Sequence, residues 1–169
     1  ITGTGCAADP GLVQYVYQVA DRCGNTVNCT QTIMVVDTLP PVIFACPADG
    51  TVECFTDVPA PTPGLVPATD NCDTNLDIRV VATNVTGVGC ASDPGILEYI
   101  YEVVDDCGNA TRCTQTWTVV DTIAPTIVCP PDFTVTGDAM CQVSVPALAP
   151  DILSDNCSAV GAIAVTQVP

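Results

Sequence analysis

From Ile96 to Asp105 the chain alternates between apolar and polar positions. Leu97, Tyr99, Tyr101 and Val103 fall on one face, and Glu98 and Glu102 on the other. A period of two over that length predicts a half-buried β-strand. Over Thr114–Val120, Gln115, Trp117 and Val119 alternate with Thr116 and Thr118. Only the short Cys107-Gly108-Asn109 loop parts the two runs, so they read as a hairpin with Glu98 and Glu102 on a solvated face. Leu76–Val85 and Thr51–Cys54 are further predicted strands, and no stretch carries a helical period. The proline run Pro59-Ala60-Pro61-Thr62-Pro63 reads as an extended edge segment. Short strands spaced by about 8–12 residues between turn signals predict an all-β fold of the sandwich kind.

The pattern recurs. Gly5-Cys6-Ala7-Ala8-Asp9-Pro10-Gly11 returns as Gly89-Cys90-Ala91-Ser92-Asp93-Pro94-Gly95, and Cys23-Gly24-Asn25 as Cys107-Gly108-Asn109, with an offset of 84 residues. The strand at Val13–Val19 is the counterpart of Leu97–Val103. Proline-bearing stretches at 35–41 and 119–125 mark the boundaries, since proline stiffens a connection and cannot donate to a ladder. Residues 1–39 therefore read as the second half of one repeat, 40–123 as a complete repeat, and 124–169 as the first half of a third. Asn71 and Cys90 are 19 residues apart, and the same spacing would run from Asn156 through Pro169 and a following Ile1 to the next Cys6. The expectation is that 125–169 of one copy and 1–36 of another make one composite domain.

Composition narrows the class. Twelve cysteines without a histidine is a secreted, disulfide-rich composition. Zinc is disfavoured, because no Cys-x2-Cys pair occurs. A net charge of −16 with three basic residues argues against nucleic acid and anionic membranes, and suits a surface protein or a cation binder. There is no apolar run long enough for a membrane helix. Without histidine or an activated nucleophile, an enzyme is not expected.

Asp105-x-Cys107-Gly108-Asn109, Cys113 with Val119, Asp121-x-x-x-Pro125 and Cys129-Pro130 together resemble the hyalin-repeat (HYR) family. The pattern is most similar to the cysteine-rich tandem repeats of Bacteroidota surface proteins and covers the whole chain. The resemblance implies tandem immunoglobulin-like β-sandwiches in extracellular stalks and adhesins, at the cell surface.

Sandwich topology then arranges the cysteines. Cys46, Cys72, Cys107 and Cys113 fall at the leading end of the complete repeat, and Cys54 and Cys90 at its trailing end. The pairs Cys46–Cys113, Cys72–Cys107 and Cys54–Cys90 follow, the first because the outer strands of such sandwiches run parallel. Cys107–Cys113 with Cys46–Cys72 is the alternative. The same rule across copies gives Cys129–Cys29, Cys157–Cys23 and Cys141–Cys6.

Calcium is the one cofactor to weigh, at the junction carboxylates Asp37 and Asp121, with Glu53, Asp57 or Asp93 adding oxygens. The plain alternative is that these carboxylates cap local backbone, as Asp21 and Asp105 should in their Cys-Gly-Asn turns. Thr38 and Thr122 lie in Asp-Thr-aliphatic triplets similar to Bacteroidota O-glycosylation motifs. Asn28, Asn84, Asn109 and Asn156 begin N-glycosylation sequons.

The function expected is a structural repeat of an extracellular bacterial fibre or stalk, whose partners are identical copies head to tail. The rivals are a pilin-like subunit joined by donor-strand complementation and an adhesin whose repeats bind a ligand.

Overall fold

The computed structural model describes residues 2–143, 152–159 and 162–166. Ten strands and two single 3-10 turns make up its regular structure. They are β1 (Gly11–Ala20), β2 (Thr26–Val35), β3 (Val42–Ile43), β4 (Gly50–Val52), β5 (Ala68–Thr69), β6 (Asp77–Thr86), β7 (Gly95–Val104), β8 (Ala110–Val119), β9 (Thr126–Val128) and β10 (Ile152–Ser154). The turns are Phe55–Asp57 and Pro63–Leu65. The proline run 59–63 joins no sheet, and Pro63 opens the second turn, which suits its fixed φ.

The sheets are small. One has the order β4–β8–β7–β6, and three are two-stranded: β1–β2, β3–β5 and β9–β10. β4 runs parallel to β8, with Gly50 opposite Trp117. A Cβ at residue 50 would run into the Trp117 indole, so glycine there lets the ring lie across the neighbouring strand.

Contacts divide the chain into two compact units. The first is Ile1–Asp49, Ala60–Val85 and Leu97–Thr116; the second is Gly50–Pro59, Thr86–Ile96 and Trp117–Pro169. In repeat register each unit holds the trailing end of one repeat and the leading end of the next. In the first unit, the Asp37 N–H donates to the Gly5 carbonyl at 2.7 Å. In the second, the Asp121 N–H donates to Gly89 at 2.7 Å. The 84-residue offset is thus a repeat of backbone structure as well as of sequence.

The first unit has its core on the alternating face of β7. Leu97, Tyr99, Tyr101 and Val103 are buried. The Tyr101 hydroxyl donates to Gln115 Oε1 at 2.9 Å, and Gln115 Nε2 donates to the Ala48 carbonyl at 2.7 Å. Burial pushes the Tyr101 phenol above its ordinary range. The opposite face is not simply solvated. Glu102 is buried, and two of the three basic residues close over it: Arg79 Nη2 at 2.7 Å and Arg112 Nε at 2.8 Å. Their hydrogen bonds, Arg112's first, hold its carboxyl below the ordinary range. A charge that can gather two guanidinium groups tolerates burial where an isolated one does not.

The hairpin β1–β2 is the repeat counterpart of β7–β8 and has a different environment. Tyr15, Tyr17 and Val19 are 51%, 55% and 66% exposed, while their counterparts Tyr99, Tyr101 and Val103 are 8%, 0% and 0% exposed. The Tyr17 hydroxyl still reaches Gln31 Oε1 at 3.0 Å, as Tyr101 reaches Gln115. The hairpin is formed, but its apolar face is bare. β9–β10 likewise repeats β3–β5, with Ile127 opposite Leu153 as Ile43 is opposite Ala68.

Candidate cation site at the Asp37 turn

Four carboxylates of the first unit converge, each placed by its own local structure. Asp37 follows β2, and its Oδ1 accepts the Leu39 N–H at 3.2 Å, an Asx turn into the prolines. Asp70 opens the loop after β5, and its Oδ1 accepts the N–H groups of Cys72 (2.8 Å) and Asp73 (3.0 Å). Asp73 Oδ2 accepts the Asp106 N–H at 2.9 Å. Asp105 follows β7 and accepts from the Cys107 and Asn109 N–H groups at 2.9 and 2.8 Å, and from Asn109 Nδ2 at 2.8 Å.

One oxygen from each of Asp37, Asp70, Asp73 and Asp105 lies within 4.8 Å of the others. Carboxylates this close repel one another when ionised. The amide donors offset part of that repulsion. Two oxygens remain buried without a donor: Asp37 Oδ2 and Asp70 Oδ2. Asp37 as a whole is only 6% exposed. An all-oxygen, strongly anionic set suits a hard divalent cation, and calcium with its flexible coordination best.

Asp37, Cys72, Asp73 and Cys107 line a cavity of about 230 Å³ with the glycine-rich stretch Gly3–Gly5. Cys72 is exposed, yet desolvation, then the charges of Asp37, Asp70 and Asp73, hold its thiol above the ordinary range.

The second unit carries a partial counterpart. Asp121 Oδ1 accepts the Ile123 N–H at 3.1 Å. Asp155 Oδ1 accepts from Cys157 and Ser158 at 3.0 and 2.6 Å, and the Ser158 bond leads in lowering its pKa. Ser158 stands where Asp73 stands in the first unit. The counterpart of Asp105 is Asp21, which serves its own turn through Cys23 N–H (2.9 Å), Asn25 N–H (2.8 Å) and Asn25 Nδ2 (2.7 Å). Among the described residues, the only grouping of three or more such ligands is that around Asp37, and Asp121 is not in it. Glu53, Asp57 and Asp93 are likewise outside that grouping. Glu53 accepts from the Thr122 hydroxyl and N–H at 2.9 and 2.8 Å, and Asp57 Oδ2 accepts the Cys54 N–H at 3.3 Å. Asp93 closes its own loop through its main-chain carbonyl, which accepts the Gly89 and Cys90 N–H groups at 3.1 Å.

The cysteines depart from the expected pairing. Cys46 is bonded to Cys113, with Cα atoms 5.8 Å apart, beside the parallel pair β4–β8. Cys107 is bonded to Cys6, not Cys72 (Cα–Cα 5.0 Å), and Cys54 to Cys157, not Cys90 (5.1 Å). The alternative Cys107–Cys113 pairing is absent for the same reason. The cross-copy pairs Cys157–Cys23 and Cys141–Cys6 are corrected with them, because Cys157 and Cys6 already have partners. What the topological argument lacked is that a trailing-end cysteine lies closest to the leading end of the following repeat, not to its own partner strand. Cys23, Cys29, Cys72, Cys90, Cys129 and Cys141 are free and exposed. Three disulfides mark an oxidising, extracellular environment.

Thr38 is exposed, whereas the Thr122 hydroxyl is engaged by Glu53. No helix among the described residues is long and apolar enough to cross a membrane. Neither protein-family models nor curated proteins yield a match to the chain.

Asp70 and Asp73 are the functional candidates that the sequence reading passed over. Their signal was the Asp-Asn-Cys-Asp loop at 70–73, in which the two aspartates are half-buried and Asp70 caps the loop's own amides.

Proposed function

We propose that this chain is a structural, non-enzymatic repeat of an extracellular fibre or stalk. Its domains are HYR-like immunoglobulin-like sandwiches, and copies join head to tail at the cell surface. The observation that carries this reading is the bare hairpin. Tyr15, Tyr17 and Val19 face solvent where Tyr99, Tyr101 and Val103, at the same repeat positions, are covered. Soluble proteins rarely leave such a face open. Its natural cover is the leading half of another repeat, the kind of segment that 125–169 supplies. A head-to-tail contact of this kind uses two different surfaces and builds an open filament. Disulfides between successive repeats stiffen each junction, and a divalent cation held by Asp37, Asp70, Asp73 and Asp105 stiffens the one in the first unit. The carboxylates at such a junction repel one another until the ion arrives, so calcium couples straightness of the fibre to the extracellular medium.

Sedimentation velocity of the oxidised chain tests the reading. Mass growing with concentration into an open series supports it. A monomer at all concentrations, with its β1–β2 face still reactive to a soluble tyrosine-modifying reagent, overturns it.

A further inference from the structure

The two units each show half of one junction. In the first, Cys107 at the leading end of the complete repeat is bonded to Cys6 at the trailing end of the repeat before it, and Cys72 is left over beside it in the same cavity. In the second, Cys54 at the trailing end is bonded to Cys157, the counterpart of Cys72 in the repeat that follows, and Cys90 is left over. Cys90 lines a cavity of about 170 Å³ together with Cys54, Cys157 and Asp121. Cys90 is the counterpart of Cys6. Each unit therefore has the bridge that the other lacks, and each leftover thiol is one half of the missing bridge.

Laid over one another in repeat register, the units define a junction with two bridges. One joins a Cys6-type residue to the Cys107-type residue of the following repeat. The other joins a Cys54-type residue to the Cys72-type residue of the following repeat. Cys46–Cys113 adds one bridge inside each repeat. Applied without exception, these three rules assign every free cysteine. Cys90 needs a Cys107-type partner, which Cys23 is. Cys141, a Cys54-type residue, needs a Cys72-type partner, and Cys72 is free. Cys129, a Cys46-type residue, needs a Cys113-type partner, which Cys29 is. The six free thiols fall into three complementary pairs with none left over.

We infer that a second copy of this chain is joined to the first by three disulfides, Cys90 to Cys23, Cys141 to Cys72 and Cys129 to Cys29, the second member of each pair lying on the following copy. The inference rests on the head-to-tail reading and goes beyond it, because only Cys129–Cys29 lies within a composite repeat. The other two bridges run between adjacent repeats, so no junction of the fibre is held by packing alone. Asp21 of the following copy arrives with Cys23, at the place beside Asp121 and Asp155 that Asp105 takes beside Asp37 and Asp70.

Each bridge forms by thiol–disulfide exchange. A thiolate attacks oxidised glutathione, one glutathione leaves as thiol, and the partner cysteine's thiolate displaces the second. Two thiols are oxidised, one glutathione disulfide is reduced to two glutathione molecules, and both protons pass to the released thiolates.

The test mixes equal amounts of light and heavy-isotope-labelled chain, oxidises them in a glutathione buffer and maps unreduced peptides by mass spectrometry. The expected result is mixed-isotope peptides joining Cys90 to Cys23, Cys141 to Cys72 and Cys129 to Cys29. Assembly with mixed-isotope Cys141–Cys6 or Cys157–Cys23 peptides, or with Cys54–Cys90 or Cys72–Cys107 inside one copy, overturns the inference and leaves the head-to-tail reading standing. Absence of both assembly and mixed-isotope peptides overturns both. A C90S chain gives an independent check. Its assemblies should expose the Cys23 thiol to iodoacetamide while Cys54–Cys157 stays intact; a Cys23 that remains blocked contradicts the pairing.

Discussion

Tyr101 and Tyr17 are the same residue of the repeat in two environments, and that contrast can be measured. Tyr101 has no exposed surface and bonds Gln115 Oε1 at 2.9 Å. Replacing it by alanine removes a buried ring, about 3–5 kcal/mol for large aromatic truncations. It also strands the buried Gln115 carbonyl, a further cost of about 1–3 kcal/mol. Allowing for relaxation, Tyr101→Ala should cost about 4–5 kcal/mol, a large part of a small domain's stability. Tyr17 is more than half exposed. In the isolated chain Tyr17→Ala should cost no more than about 0.5 kcal/mol, as for other surface changes. In the assembled fibre its cost should rise to that of Tyr101→Ala. The assay is urea unfolding followed by circular dichroism, disulfides intact, on the isolated chain and on oxidised assemblies. A Tyr17→Ala cost equal to that of Tyr101→Ala in the isolated chain would refute the argument. So would a Tyr17→Ala assembly with an unchanged midpoint.

Three other expectations follow. Calcium at one hundred times its dissociation constant should stabilise the chain by about 2.7 kcal/mol, seen as a higher thermal midpoint that chelator reverses; Asp73→Asn should weaken that response, and an unchanged midpoint in wild type with and without calcium would exclude the site. Glu102 has a folded-state pKa held below its ordinary 4.5, so its contribution is complete above that value and lost as pH falls below it; Glu102→Gln should lower stability at neutral pH and flatten the acid limb of the stability profile, and an acid limb identical to wild type would contradict the Arg79–Glu102–Arg112 assignment. Gly50→Val should cost about 1–3 kcal/mol by forcing the Trp117 indole off the neighbouring strand; the shift is readable in the fluorescence of the only tryptophan, and unaltered emission would show that the ring does not lie there.

Where side-chain period and turn chemistry act alone, the sequence was a sufficient guide. The alternation of Leu97, Tyr99, Tyr101 and Val103 is the buried face of β7, and Gly108 turns the hairpin with a positive φ that few side chains adopt. Glu102 was misplaced because period two assigns a face without saying what lies over it. Two arginines, 23 and 10 residues away in sequence, were needed to bury it. The cysteine pairing failed at Cys72 and Cys90 for a related reason. Strand order sorts cysteines to the ends of a repeat, but partner choice depends on distances across a junction, to which each repeat contributes half. Asp37 was legible as a junction carboxylate; Asp70 and Asp73 were not, since only folding of the 70–73 loop turns them toward it.

The central claim is that the bare face of β1–β2 is covered by the leading half of a repeat from another copy. A helical reconstruction of the oxidised assembly at side-chain resolution tests this directly. The account predicts Tyr15, Tyr17 and Val19 buried as Tyr99, Tyr101 and Val103 are, with density linking Cys29 to Cys129 of the neighbouring copy. Hairpins left bare along the filament, or covered by a symmetric pairing of two β1–β2 faces, would contradict it.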